Sequence, residues 1–357
     1  MKRILGPLLL VVLILGVGAA IVLTVGSVIR ERQLVTVVGL IGSEKEAFFK
    51  SPEVIEALRS GGLEVEVEKA GSRQIATSYD LTQYDFAFPA GVPAAEKMRR
   101  EQSGSKAYDT FFSPMTIASW EPIAQILVAN GVAQNQGGYY TLEMEAFLRL
   151  VADGKRWSDM ESNDAYDVNK SMLINSTDVR KSNSAAMYLS LSSFVANGNS
   201  VVQDEVQAAG LMPLMSSLFL EQGYVEYSSA VPFENYLIMG MGKTPLVMIY
   251  EAQFIEAASE GSLQPDMVLM YPEPTIFSKH ILVSLSEGGE RLGELLRDDP
   301  DLQRLAVEHG FRTTDAAYFR ELTSRHQLTM PDSIVNVVEP PSYEILESMI
   351  QQIEQKY

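Results

Sequence analysis

The chain has 357 residues, a formal net charge of −18 and an ordinary globular composition, 46% hydrophobic and 21% charged. That length allows two or three domains, and that composition excludes a disordered or fibrous chain; the acidic excess argues against nucleic acid, whose phosphates call for surplus Lys and Arg. The absence of cysteine excludes disulfides, thiolate metal sites, cysteine nucleophiles and an acylated lipoprotein anchor.

From Ile4 to Ile29 there is no charge, a run longer than the roughly 20 residues a helix needs to span a bilayer. Lys2 and Arg3 precede it, and Arg30, Glu31 and Arg32 follow. Residues 1–32 therefore read as a cytoplasmic tip and a single transmembrane anchor in the plasma membrane, with the main domain extracytoplasmic. A cleaved signal peptide is the rival reading, with small residues at Gly18 and Ala20 or Val25 and Ser27 for a peptidase.

Leu34 to Ile41 is a nearly continuous β-branched run, the pattern of a strand buried on both faces. Ser51 and Pro52 start a helix carrying Val54, Ile55 and Leu58, which Gly61-Gly62 stops. Leu63 to Val67 alternates as a strand, and Tyr84 to Phe88 is a third. Strand, helix, strand, helix, strand predicts an α/β sheet. Phe111 to Ala118 is extended, and Trp120-Glu121-Pro122 opens an apolar helix. Tyr140 to Asp153 is predicted as one amphipathic helix, and Met172 to Ile174 as a short strand. Leu211 to Leu220 is predicted helical after Pro213, and Pro245 to Tyr250 is a buried strand. Met267 to Tyr271 and Ile281 to Leu285 read as strands, and Gly289 to Arg297 as a helix. Asp299-Pro300 caps the next helix, and Ser342 to Tyr357 forms a last amphipathic one with Ile345, Leu346, Met349, Ile350 and Ile353 on one face.

Ile174 to Ser184 is the most polar connection, holding Ser176, Thr177, Asp178, Arg180 and Lys181 before a helix over Ala185 to Ala196. Ser182, Asn183 and Ser184 stand where an N-cap belongs. Unpaired N–H groups at a helix start can hold an anion or polar ligand, although a well-capped helix after a polar loop explains the same residues.

Several short pieces, in order, resemble the type II periplasmic (extracellular) solute-binding proteins of ABC transporters. They are the first strand with Gly42-Ser43-Glu44, then Ala70-Gly71-Ser72-Arg73-Gln74-Ile75 with Tyr84-Asp85-Phe86-Ala87-Phe88, and Leu295-Leu296-Arg297-Asp298-Asp299 through Gln303-Arg304-Leu305-Ala306 to His309-Gly310-Phe311-Arg312. The resemblance implies an α/β, two-lobed fold with two hinge crossovers, here preceded by the N-terminal transmembrane helix read from Ile4 to Ile29. It implies lobe 1 at 33–115 plus 267–335 and lobe 2 at 116–266; the C-terminal amphipathic helix at 336–357, the anchor and the missing lipobox cysteine depart from typical members. The hinges would fall near Thr116 to Ser119 and Asp266 to Tyr271. In open α/β sheets ligand loops lie beyond the carboxyl ends of strands. That places Ser43, Glu44, Ser72, Arg73, Ser176, Thr177, Asp178, Ser182, Asn183, Tyr250 and Glu251 around the cleft.

Each candidate has a plainer alternative. Ser43 fits an N-cap as well as a ligand hydroxyl, and Arg73 fits a solvated loop as well as a bidentate clamp. Asp178 speaks against a purely anionic ligand unless Arg180 or Lys181 offsets it. Tyr250 and Glu251 either close the cleft from lobe 2 or pack in the core, and Trp120 fits the core best. There is no Gly-x-Ser-x-Gly elbow and no Walker loop, and His280, His309 and His326 lack metal spacing. The expectation is a non-enzymatic, membrane-anchored binding protein for a small polar solute, without cofactor or metal, partnered by an ABC permease or another membrane protein. The alternative is an anchored interaction or sensory protein that reuses the fold within a membrane-surface complex. A hydrolase built on Ser182 is a weaker third.

Overall fold

The computed structural model describes residues 34–223 and 230–357. The expected membrane anchor lies outside these residues; among the described residues no helix is long and apolar enough to cross a membrane.

The first sheet grows from β1 (Val35–Ile41), α1 (Glu46–Lys50), α2 (Pro52–Ser60), β2 (Leu63–Lys69), α3 (Ser72–Thr77), β3 (Phe86–Phe88) and α4 (Val92–Glu101). β1 pairs in parallel with β2 and with β3, as right-handed crossovers through helices allow. Proline at the start of α2 and α4 costs no hydrogen bond there, because the first helical N–H groups have no partner in the helix anyway.

β4 (Ala107–Trp120) is the long central strand. Its first half pairs with β9 (Thr275–Ser284) and so belongs to the first sheet. From Met115 onward it pairs with β7 (Leu246–Tyr250) and β8 (Met267–Glu273) in a second sheet. The second unit also holds α5 (Glu121–Ala129), β5 (Ala133–Asn135), β6 (Tyr140–Glu143), α6 (Met144–Ala152), α7 (Asn183–Ala196), α8 (Glu205–Leu220) and α9 (Ala230–Met239). The chain continues through α10 (Glu251–Ser259), α11 (Glu287–Asp298), α12 (Pro300–Glu308), α13 (Ala316–Arg325), β10 (Val337–Val338) and α14 (Tyr343–Glu354).

Alternation divides the first sheet's core between its faces. Phe86, Phe88 and Leu282 pack with α11 on one side, while Ala87, Ile281 and Val283 pack with α3 and α4 on the other. A larger core fills the second unit, and Leu346, Met349, Ile350 and Ile353 of α14 are part of it.

Four expectations change. Tyr140 to Glu143 forms strand β6 rather than the first turn of a helix, because its main chain pairs with β5 and β8 and the Tyr140 hydroxyl donates to Glu121 Oε1 at 2.6 Å. Pro213 lies inside α8 rather than before it, where it removes one helical N–H donor, and the apolar packing of Met212, Met215, Leu218 and Phe219 holds the helix through it. Met172 to Ile174 is irregular, and the chain pairs on either side of it in isolated bridges, Ser171 with Arg156 and Asn175 with Val247. Residues 267–273 stay in the second sheet, held by β4 and β6, and the chain pairs with the first sheet only from Phe277, so the return crossing lies beyond Asp266 to Tyr271.

Candidate functional site

The carboxyl ends of β1 and β2 face the start of α7 and the end of β7 across a cavity of about 280 Å³. Gly42, Ser43, Glu44, Lys69, Gly71, Ser72 and Gln74 line it from the first unit, and Lys181, Ser182, Asn183 and Tyr250 from the second. A strand's side chains alternate between faces, whereas the loop beyond its last residue turns across the sheet edge, which is why polar groups collect there.

The two walls touch. Asn183 donates to the carbonyl of Ala90 at 2.7 Å and to the Tyr250 hydroxyl at 3.2 Å. Ser72 accepts from Ala90 N at 3.0 Å, and Ser278 donates to the same Ala90 carbonyl at 2.5 Å. Arg73 reaches the Arg180 carbonyl at 2.9 Å. Glycine is required at 71, where a β-carbon would strike the Lys181 carbonyl.

Ser182 stands at the N-cap of α7 with extended backbone, yet its hydroxyl contacts Ser184 Oγ at 2.9 Å and makes no capping bond. The helix therefore begins at the cavity without a side-chain cap, leaving donors toward an acceptor-rich or anionic group. Burial pushes the Tyr250 phenol far above its ordinary range, so it stays a neutral hydroxyl.

Of the residues singled out in the sequence, Ser43, Glu44, Ser72, Ser182, Asn183 and Tyr250 meet at this cavity. Five do not line it. Arg73 turns to the C-terminal helix, gripping Glu347 at 2.8 and 2.5 Å. Ser176 belongs to a separate depression on the second unit, with its N–H on Gln222. Thr177 bonds Ser184 Oγ at 2.9 Å. Asp178 is fully buried rather than at the rim, with its carboxylate taken by Arg180. Glu251 is fully buried too, receiving Arg312 Nε at 2.6 Å and Nη2 at 2.8 Å together with the Tyr271 hydroxyl. Trp120 is a core residue, its ring tilted against Tyr236 and its N–H on the Thr244 carbonyl.

Sequence reasoning missed Lys45 and His280. Lys45 is wholly buried, its ammonium on Glu44 Oε1 and 3.0 Å from His280 Nδ1. Desolvation pulls its pKa down, and the neighbouring Glu44 carboxylate opposes the shift. His280 was legible in principle: Ile276, Ser278, His280 and Leu282 are alternate, inward positions of β9. Nothing local marks Lys45.

No family model matches the sequence, and no curated protein is similar to it at the sequence level. Solved structures are similar in fold. A periplasmic thiamin binding protein superposes with a TM-score of 0.57 over 90% of this chain and 96% of its own, at 12% identity. The apo ferric ion-binding protein A of Pasteurella haemolytica gives 0.54 over 90% and 97%, at 10% identity. The fold is that of the type II periplasmic binding proteins. An ABC transporter structure from Clostridium perfringens agrees, with a TM-score of 0.50 over 88% of this chain and 96% of that one, at 13% identity. The cavity lies where loops of the two units meet, and β4 and the β8–β9 passage connect those units.

Proposed function

We propose that this chain captures a small polar solute in the interlobe cleft, without chemistry, as the binding component of an ABC importer. The observation that carries the reading is the cleft lining: polar donors and acceptors from both lobes, charged Glu44 among them, converge with an uncapped helix start on one cavity. The fold shared with binding proteins supports it. The uncharged run Ile4 to Ile29 and its flanking charges support an anchored, extracytoplasmic placement.

A second reading, an anchored sensory or assembly protein in a membrane-surface complex, is favoured by one feature. α14 lays its apolar face on the second lobe and its charged face on the first, joining the two lobes. A solute screen read by melting temperature separates the readings. A ligand at about 100 times its Kd stabilises the folded state by about 2.7 kcal/mol, a rise of several degrees for a chain of this size. The importer reading expects such a rise, weakened in Ser182→Ala. No rise with any solute, together with stable co-purification of a membrane partner other than a permease, would favour the second reading.

A further inference from the structure

Glu44 and Lys45 are consecutive in one tight turn, Ser43–Lys45, at the end of β1. Their charge pair lies under a cavity whose lining is otherwise mostly neutral. The Lys45 ammonium approaches Glu44 from the protein side, 4.8 Å over the Phe88 ring, and His280 Nδ1 lies 3.6 Å from the same oxygen, Oε1. Among the described residues no donor reaches Oε2, while Glu44 lines the cavity. The carboxylate folds back over Gly42, where a β-carbon would collide with both of its oxygens. The turn thus presents one carboxylate oxygen to the cleft and fixes the other to a buried cation.

This arrangement distinguishes solutes by charge. The charge of Glu44 is already met from behind. A ligand ammonium at Oε2 would lie close to the Lys45 ammonium with little water to screen the two. A neutral O–H or N–H gains a charge-assisted hydrogen bond without that repulsion. Across the cavity, the uncapped start of α7 offers backbone donors and the positive end of the helix dipole.

Resting on the solute-binding reading, we propose that Glu44 is the specificity-determining residue of the cleft, selecting a hydroxylated organic anion whose hydroxyl donates to Oε2 while its anionic end faces the start of α7. Calorimetric titration of the full chain with sn-glycerol 3-phosphate and with propyl phosphate tests it, since the two probes share the anion and differ in hydroxyls. The expected result is at least about tenfold tighter binding of the hydroxylated probe, as for a hydrogen bond to a charged group. In Glu44→Leu/Lys45→Met the ratio falls to within about twofold. The double change is used because Glu44 replaced alone would leave the buried lysine unpaired and lower folding stability. Equal affinities in the unmodified chain, or a preference that survives the double change, overturns the proposal and leaves the solute-binding reading in place. Binding of neither probe also overturns it, and the broader reading is then decided by the solute screen.

Discussion

Glu251 shows what a carboxylate costs once the fold closes over it. It follows β7 directly, and Arg312, brought back to the first lobe by the bridge to Phe112, is its counter-ion. Arg312→Ala would leave the carboxylate buried with only the Tyr271 hydroxyl, a loss of about 3–5 kcal/mol in urea unfolding. Glu251→Leu/Arg312→Met should cost clearly less, and a double variant as unstable as the single one would show that packing, not charge, governs the position. His280 gives a pH signature. Burial, with the Lys45 ammonium beside it, pushes its pKa well below the ordinary imidazole range. In the unfolded chain it protonates near pH 6.5, so below that pH the unfolded state binds more protons and stability falls as the solution acidifies. The groups facing the ring are Lys45 and Glu44 on one side and Tyr250, Phe111 and Phe311 around it. His280→Gln should flatten the acid limb of stability by up to about 1.4 kcal/mol per pH unit; an unchanged limb between pH 6.5 and 5 would mean that the histidine is charged in the folded state.

At the scale of elements, α14 does more than end the chain. Ser342 caps it, accepting from Ile345 N at 3.4 Å. Its apolar face enters the second lobe's core, each fully buried aliphatic side chain contributing on the order of 1.5–3 kcal/mol. Its other face meets the first lobe through Arg73–Glu347 and Arg100–Glu344, with Lys97 over the Tyr343 ring. Arg100–Glu344 is solvent-exposed and should contribute little. Arg73–Glu347 is bidentate and half-sheltered, and Arg73→Ala should cost about 1–2 kcal/mol. The exchanged pair Arg73→Glu/Glu347→Arg should recover part of that loss, and a double-mutant cycle with no coupling would remove the pair as a link between lobes. The amphipathic spacing of α14 was readable because one helix face has one period. The β6–α6 junction was not, because Tyr140 and Leu142 fit the start of a helical stripe as well as an alternating strand. Pairing with β8, distant in sequence, decides between them.

For the whole molecule, the cleft is already narrowed by direct contacts of Asn183 with Ala90 and of Arg73 with Arg180, and α14 bridges the same two lobes. Removing 336–357 should therefore loosen the closed arrangement, seen in small-angle scattering as a larger radius of gyration that a bound solute partly restores; an unchanged radius would place the constraint in the crossovers alone. By itself the sequence determined what depends on neighbours along the chain: most of the strands, the helix starts at Ser51-Pro52, Asp299-Pro300 and Ser342, and the polar loops at strand ends. Six of the residues it singled out stand together at the cavity for that reason, because a loop after a strand end has few places to go. Tertiary structure alone decided which charges remain facing the cleft. Arg73 and Glu251 found counter-ions distant in sequence and Asp178 one on its own loop, while Glu44 kept one oxygen toward the cavity because buried Lys45 holds the other. Local pattern reports whether a residue is polar; only the packed fold brings it a partner, since desolvation makes a buried charge without one too costly to keep.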